Sequence, residues 1–232
     1  MGYGNYISLN VYTNNRRKKV CCLYDSEVQQ PGAVYNIKRK IEMNGWKELS
    51  FTIPININGE KNWRIQFITN EYEVCVMDGD EKDWFRITEP TESDDGVRSD
   101  IDVVCPHSSF ILKKRNIYLA FDDENGIGTL NELAERVLDG TGWTLGYTDK
   151  FYEPNDGETE KIRTYHCNEK TGAYAMIQDL CDKFGAYPVF NGDARTVDLL
   201  DRSKRRGMIE MSLSKNLVKM ARKRDSTDVV TR

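Results

Sequence analysis

The sequence has no apolar run that approaches the ~20 residues of a membrane-spanning helix. Its first twenty residues lack the apolar middle of a secretion signal, and Tyr6 stands where a myristoylation signal carries serine or threonine. Hydrophobic residues make up 39% of the chain and charged residues 30%, a balance typical of a folded protein with a core. We therefore expect a protein made in the cytosol without a membrane anchor.

Histidine is scarce, and the spacing of the histidines and cysteines does not match that of structural zinc sites. The cysteines stand at 21, 22, 75, 105, 167 and 181 without a CxxC pair, which predicts reduced, mostly buried thiols. The two histidines, His107 and His166, could form a zinc site with Cys105 and Cys167, but CxH and HC are not the spacings of structural zinc sites. We therefore predict no metal, and ordinary strand residues at these four positions.

Other catalytic or cofactor signatures are also missing. Gly126-Ile127-Gly128 resembles half of a dinucleotide fingerprint, but its third glycine would fall at Asn131. No GxSxG motif supports a nucleophile. Nothing separates a general acid from a general base among the carboxylates Asp78, Asp80, Asp83, Asp122, Asp123 and Glu124. We therefore assign no catalytic, cofactor-binding or metal-binding residue.

The net charge of −4 hides two oppositely charged stretches. Residues 71–102 hold twelve acids and three bases, whereas residues 202–224 hold nine bases and one acid, Glu210. The basic residues considered for phosphate contacts are Arg202, Lys204, Arg205, Arg206, Lys219, Arg222, Lys223 and Arg224. The aromatic residues Trp63, Trp84, Trp143 and Tyr187 lie elsewhere, so the bases have no stacking partners and we predict no specific nucleic-acid binding. Opposite charges also suit contacts between copies or with partners.

A helix, glycine and strand unit occurs twice. The first covers residues 129–147: Leu130, Leu133, Ala134, Val137 and Leu138 form an apolar stripe, and Thr129 with Glu132 predicts a capping box. Trp143, Leu145 and Tyr147 then alternate as on a half-buried strand. The second unit follows Thr171, with a stripe at positions 173, 176, 177, 180, 181 and 184, a stop at Gly185 and a strand from Tyr187.

The first hundred residues predict β structure. We expect strands at 6–12, 20–23, 33–43, 46–54, 63–69, 72–77 and 84–88, with turns at Asn44-Gly45 and Asp78-Gly79-Asp80. Residues 89–100 are the best linker candidate, and a long surface loop is the alternative. This spacing of short strands is typical of a small barrel or sandwich.

Further short strands follow the linker candidate. They are expected at 101–104, 109–112, 117–121, 161–167, 187–190, 196–200 and 208–213, with a polar loop at 155–160 and a turn at Asn191-Gly192. Pro188 predicts an edge strand. The fold class is thus α+β and β-rich, with domains at 1–100 and 101–232 and a possible sub-boundary near 155–160. Because the chain stops soon after an apolar Val229-Val230 pair, we expect it to be cut from a longer protein or to borrow a closing strand.

Four blocks resemble the N-terminal hub region of the tailed-phage tail-hub family, the tail-associated lysin or prophage endopeptidase-tail proteins. They are NGWKELSFTIPI at 44–55, NEYEVCVMDGDEKDWFRITEP at 70–90, TLNELAERVLDGTGWTLG at 129–146 and KTGAYAMIQDLCDKFGAYPVFNGDARTVDLLD at 170–201. Each block is a loose pattern, so the specificity lies in their order and spacing.

The resemblance implies small β-barrel-like hub domains with α+β insertions, and a homotrimeric ring at the tail tip or baseplate of a virion. Such a ring closes the tail tube before infection and contacts the distal tail protein, the tape-measure protein and a receptor-binding protein. Any lytic part would lie beyond Arg232, so the resemblance implies a structural protein and no enzyme in this chain.

Two other function classes remain open from the sequence. A cell-wall peptidoglycan hydrolase would need a cleft lined by the acidic loops or by His107 and His166, and substitution of His107, His166 or Asp123 would test it. A carbohydrate-binding module would use exposed tryptophans such as Trp63 or Trp84, although buried tryptophans are the more common case.

Overall fold

The N-terminal half of the chain forms two antiparallel four-stranded sheets. The computed structural model describes residues 6–28, 33–42, 45–88, 90–94, 96, 99–114, the backbone of 116–117, and residues 126–155, 157–166 and 171–204. The strands of this half are β1 (Ile7–Thr13), β2 (Lys19–Asp25), β3 (Tyr35–Ile41), β4 (Lys47–Pro54), β5 (Asn56–Ile57), β6 (Glu60–Lys61), β7 (Tyr72–Asp78), β8 (Glu81–Arg86), β9 (Thr91–Asp94) and β10 (Ser99–Pro106). One four-stranded sheet has the order β2-β1-β7-β8 and the other the order β3-β4-β10-β9, while β5 and β6 pair only with each other.

The two sheets share one apolar core. Alternate residues point inward, so Leu9 and Val11 of β1 and Val74 and Val76 of β7 meet residues of β4 and β10, and all of them are buried. The core includes Leu49, Phe51, Ile53, Phe85, Ile101, Val103 and Cys105. The pair is a sandwich in which the edge strand β8 and the residue that follows β10 approach at an isolated bridge between Phe85 and His107.

The rest of the described chain contains three helices, and the two longer ones pack on a small mixed sheet. The helices are α1 (Ile111–Lys114), α2 (Leu130–Leu138) and α3 (Ala173–Phe184), and the strands are β11 (Asn116–Ile117), β12 (Ile127–Gly128), β13 (Thr144–Thr148), β14 (Arg163–Thr164), β15 (Thr171–Gly172), β16 (Ala186–Asn191) and β17 (Thr196–Asp201). The sheet order is β13-β17-β16, with β13 parallel and β16 antiparallel to β17. The apolar stripes of α2 and α3 face a second core that includes Trp143, Phe190, Val197 and Leu199.

Both helix units of the sequence are confirmed. The Thr129 hydroxyl accepts from the Glu132 N–H, and the Glu132 carboxylate accepts from the Thr129 N–H, which completes the capping box. Gly185 ends α3 at φ 79°, in the left-handed region that favours glycine. Pro188 lies in the edge strand β16, as expected. The described cysteines are free and all but Cys22 are buried.

Several local predictions are wrong. Residues 63–69 form a 3₁₀ helix, Trp63–Phe67, because the Asn62 side chain accepts from the Arg64 N–H at its start. Residues 109–112 belong to a 3₁₀ helix, Ser108–Phe110, that runs into α1. The linker candidate 89–100 contains the edge strand β9, which pairs with β10. Tyr147, expected on a half-buried face, is 63% exposed.

The α+β, β-rich class is confirmed, and the described strands leave both N-terminal sheets open. Described residues up to Arg202 form one compact unit, and the division at residue 100 stays a prediction. Among the described residues, no helix is both long and apolar enough to cross a membrane. The predicted strand 208–213, most of the strand 117–121 and the Asn44 position of the first hairpin turn lie outside the described residues.

Candidate functional site

Asp83 of β8 lies at the centre of a buried polar group. Its Oδ2 atom accepts hydrogen bonds from Arg39 Nη2 at 2.9 Å and from Lys47 Nζ at 3.0 Å. Its Oδ1 atom lies 2.6 Å from His107 Nε2. We call these four residues, together with Ser109, the Asp83 cluster.

The strand register places these side chains together. Arg39 pairs with Leu49 across β3 and β4, so Arg39 lies on the same face as the core residues of that sheet. Lys47 is the first residue of β4, and His107 directly follows β10. At that position the imidazole caps the 3₁₀ helix, because the Ser109 N–H donates to His107 Nδ1 at 3.3 Å.

These contacts fix the protonation state of the cluster. Since Nδ1 of His107 accepts from the Ser109 N–H, the proton of a neutral imidazole is on Nε2, which donates to Asp83. Burial lowers the pKa of His107, the hydrogen bond that His107 donates to Asp83 raises it, and the charges of Lys47 and Arg39 lower it further. Burial alone would raise the pKa of Asp83, but the His107 hydrogen bond and the Lys47 charge hold it well below its usual range. The cluster therefore contains an ionised Asp83 and a neutral His107.

The hairpin between β16 and β17 covers the cluster from the other side. Lys47 Nζ donates to the Phe190 carbonyl at 2.9 Å, and Trp84 Nε1 donates to Asp193 Oδ1 at 2.7 Å. The Arg16 guanidinium donates to the Gly192 carbonyl and stacks 4.5 Å from the centre of the Trp84 ring. The hairpin is thus held by three side chains: Arg16 and Trp84 bind its turn, and Lys47 binds the end of β16.

Gly192 is in close contact with the cluster. A Cβ atom at this position would lie 2.7 Å from His107 Nε2 and 2.9 Å from both Asp83 Oδ1 and Ser108 Oγ. These distances are shorter than normal van der Waals separations, so only glycine lets the turn approach this closely. The close approach excludes water from His107, which is 1% exposed.

An open cleft of about 460 Å³ lies beside the cluster, between the β7–β8 turn and the β16–β17 hairpin. It is lined by Asp78, Asp80, Glu81, Asp83, Asp193 and Asp198 and by the bases Arg39, Lys47 and Lys82. Three of the carboxylates predicted from sequence therefore meet here. Among the described residues, no group of histidine, cysteine and acidic side chains is arranged to hold a metal ion.

The cluster contains a serine, a histidine and a carboxylate, the three groups of a hydrolytic triad. Ser109 Oγ lies 2.9 Å from His107 Nδ1, but Ser109 is only 2% exposed and its own N–H occupies the same nitrogen. A nucleophile must reach its substrate and transfer its proton to a free base. The geometry therefore suits support of the fold better than catalysis.

The other candidate residues considered from the sequence, where the structure describes them, lie in different surroundings. His166 is exposed at the surface. Cys105 is buried in the sandwich core, and that burial raises the pKa of its thiol. Trp63 is 53% exposed, while Trp84 and Trp143 are buried. Arg202 pairs with Asp182. Cys167, residues 122–124 and the basic residues from Arg205 onward lie outside the described residues.

Sequence reasoning missed Arg39, Lys47 and Gly192 as partners of Asp83. The sequence marks Gly192 as a turn residue, but it does not show what the turn packs against. These contacts join residues separated by 36 positions or more, as for Lys47 and Asp83, and depend on the docking of one hairpin against two sheets.

The fold has solved relatives. It is similar to the tail protein from Neisseria meningitidis MC58, with a TM-score of 0.53 and 9% identity over 83% of this chain and 50% of that one. It is also similar to the prophage tail protein gp18 from Listeria monocytogenes EGD-e, with a TM-score of 0.52 and 13% identity over 84% of this chain and 51% of that one. The chain has the fold of these tail proteins.

This tail-protein fold spans about half the length of both relatives. A family model described as the YOMG N-terminal domain matches residues 26–105, which cover β3 to β10 except for the last residue of β10. No curated protein matches the chain. Most of the Asp83 cluster falls inside the matched residues, whereas the turn that covers it does not.

Proposed function

We propose that the protein is a structural component of a phage or prophage tail, located at the tail tip or baseplate hub. The observation that carries this proposal is the shared fold with two tail proteins over more than four fifths of the chain. The Asp83 cluster also supports a structural role, because its ionisable side chains bind one another and connect different strands. No catalytic residue is assigned.

The proposed assembly is a homotrimeric ring that closes the tail tube and anchors host-recognition or lysin parts. Its proposed partners are the distal tail protein, the tape-measure protein and a receptor-binding protein. Open sheets support an assembly, because their edge strands carry backbone groups that a neighbouring copy can bind.

Electron microscopy of tail particles tests the location. Particles from the parent gene cluster should carry the protein at the tail tip, where an affinity tag on the chain would be decorated by antibody-gold. Labelling along the tube or on the capsid would contradict the tip location. A sedimentation experiment on the protein expressed at its natural length tests the ring, and a monomer at all concentrations would count against it.

A peptidoglycan hydrolase is the competing class, because His107 lies beside a carboxylate. We expect no release of soluble peptidoglycan fragments by this chain, since the imidazole is buried. Release that is lost in His107→Gln but kept in His166→Gln, with both variants folded, would establish an enzyme. Binding on a glycan array that is lost in Trp63→Ala would establish the carbohydrate-binding class.

A further inference from the structure

The contacts at the β16–β17 turn depend on a neutral His107. Nε2 donates to Asp83, and Nδ1 accepts from the Ser109 N–H. A second proton on Nδ1 would turn to Ser109 Oγ, which lies 2.9 Å away and can accept it, but the Ser109 N–H would lose its acceptor. The cap of the 3₁₀ helix at Ser108–Phe110 would then be lost.

The charge balance around the imidazole would also change. Asp83 on β8 is already shared by Arg39 on β3 and Lys47 on β4. The rings of Phe85 and Trp143 that face His107 carry no charge to offset a further cation. A protonated His107 would be a third cation around one buried carboxylate, and such an imbalance is costly inside a protein.

Other acidic groups are less able to compensate. Asp193 on the turn is held by the Trp84 indole. Asp78, Asp80, Glu81 and Asp198 line the open cleft, where solvent and salt screen their charges. The excess positive charge would be reduced most simply if Lys47 moved away from Asp83. Lys47 also donates to the Phe190 carbonyl, so its movement would release the hairpin.

We propose that His107 is a proton-operated latch, whose protonation separates the turn at residues 192–195 from the N-terminal sheets while the rest of the fold is retained. Gly192 makes this coupling direct, because its backbone lies against the imidazole. The inference concerns a conformational device in this chain and does not depend on its place in a tail.

The Trp84 indole N–H reports on the latch, because it donates to Asp193 on the turn. Its resonance can be followed in the 232-residue chain by nitrogen-proton NMR from about pH 7.5 to about pH 5, the range over which histidine titrates. Trp84→Phe identifies the peak. We expect it to leave its hydrogen-bonded position as the pH falls, while far-ultraviolet circular dichroism stays constant. His166→Gln, the matched control, should behave like the natural sequence, and His107→Gln should show no transition.

The imidazole itself gives a measurement that needs no variant. Nitrogen shifts of His107 should show the Nε2–H form at neutral pH and a second proton over the same pH range as the indole change. The latch is overturned if His107 stays neutral to about pH 5, or if the indole peak does not move. It is also overturned if the peak moves equally in His107→Gln, or if the circular dichroism is lost together with it.

Discussion

At the scale of single residues, a small group of charged side chains lies where two parts of the chain meet. Asp83, with a side chain that is 8% exposed, satisfies two cations and an imidazole at once. A buried charge that loses its partners is expensive, whereas an exposed pair contributes little. The stability of the junction therefore depends on a few residues that composition does not reveal.

Replacement of Asp83 tests this dependence. Asp83→Asn leaves Arg39 and Lys47 facing a neutral amide, and we expect the free energy of unfolding to fall by about 3 kcal/mol. Asp182→Asn is the matched control, since Asp182 pairs with Arg202 at the surface and should change stability by less than about 0.5 kcal/mol. Urea unfolding followed by circular dichroism measures both. Equal losses in the two variants would contradict the central role of Asp83.

Gly192 gives a second test at the same scale. Gly192→Ala inserts a Cβ against His107, Asp83 and Ser108, and we expect a loss of about 2–3 kcal/mol. Gly59→Ala serves as the comparison: its φ of 82° is also unfavourable for alanine, but no atom lies within 4 Å of the added Cβ. Its loss should stay near 1 kcal/mol, roughly the cost of the left-handed backbone alone. Thermal unfolding of both variants gives the two losses of stability, and a larger loss for Gly192→Ala measures the effect of the close contacts beyond that of backbone strain.

At the scale of elements, the sequence predicts the helices α2 and α3 correctly, but it predicts strands at two short segments that form 3₁₀ helices. The apolar stripe from Leu130 to Leu138 and the capping box at Thr129 lie within a few residues of one another in the sequence. Such local patterns can be recognised without knowledge of the tertiary structure. The sequence predicts a strand at residues 109–112, yet the His107 side chain accepts from the Ser109 N–H and starts a 3₁₀ helix there. The Asp83 cluster itself could not be predicted, because it requires the register of β3, β4, β8 and β10 and the docking of a later hairpin.

The cap of α2 has a measurable contribution. Thr129→Ala removes the hydroxyl that accepts from the Glu132 N–H, and we expect a loss of about 1 kcal/mol. Thr129→Ser keeps the hydroxyl, so the free energy of unfolding should change by no more than about 0.3 kcal/mol. Chemical denaturation of the two variants provides the comparison. An unchanged alanine variant would show that packing alone fixes the start of the helix.

At the scale of the whole molecule, two apolar cores in one compact unit are joined through polar contacts. The sandwich core draws on residues 9–105, and the second core on residues 112–199. Trp46 extends from the first part to pack against the second core, where it meets Phe110 and Tyr174 edge-on. We therefore expect both parts to unfold in one transition.

The pH dependence of unfolding follows from the junction. Because burial lowers the pKa of His107 in the folded state, the unfolded chain binds more protons below the ordinary histidine value. Stability from this group is present above about pH 6.5 and is lost as the pH falls. Asp83, whose pKa is also lowered, adds a further loss in stronger acid. Denaturant midpoints between about pH 7 and about pH 5 should decline, and His107→Gln should reduce that decline.

The position of Gly192 late in the chain has a consequence for biosynthesis. Every strand of the first two sheets is translated by residue 106, whereas Phe190 to Asp193 leave the ribosome long afterwards. N-terminal units of a growing polypeptide tend to fold first. We therefore expect His107 to be exposed to water in the nascent sandwich until the hairpin of β16 and β17 has been translated.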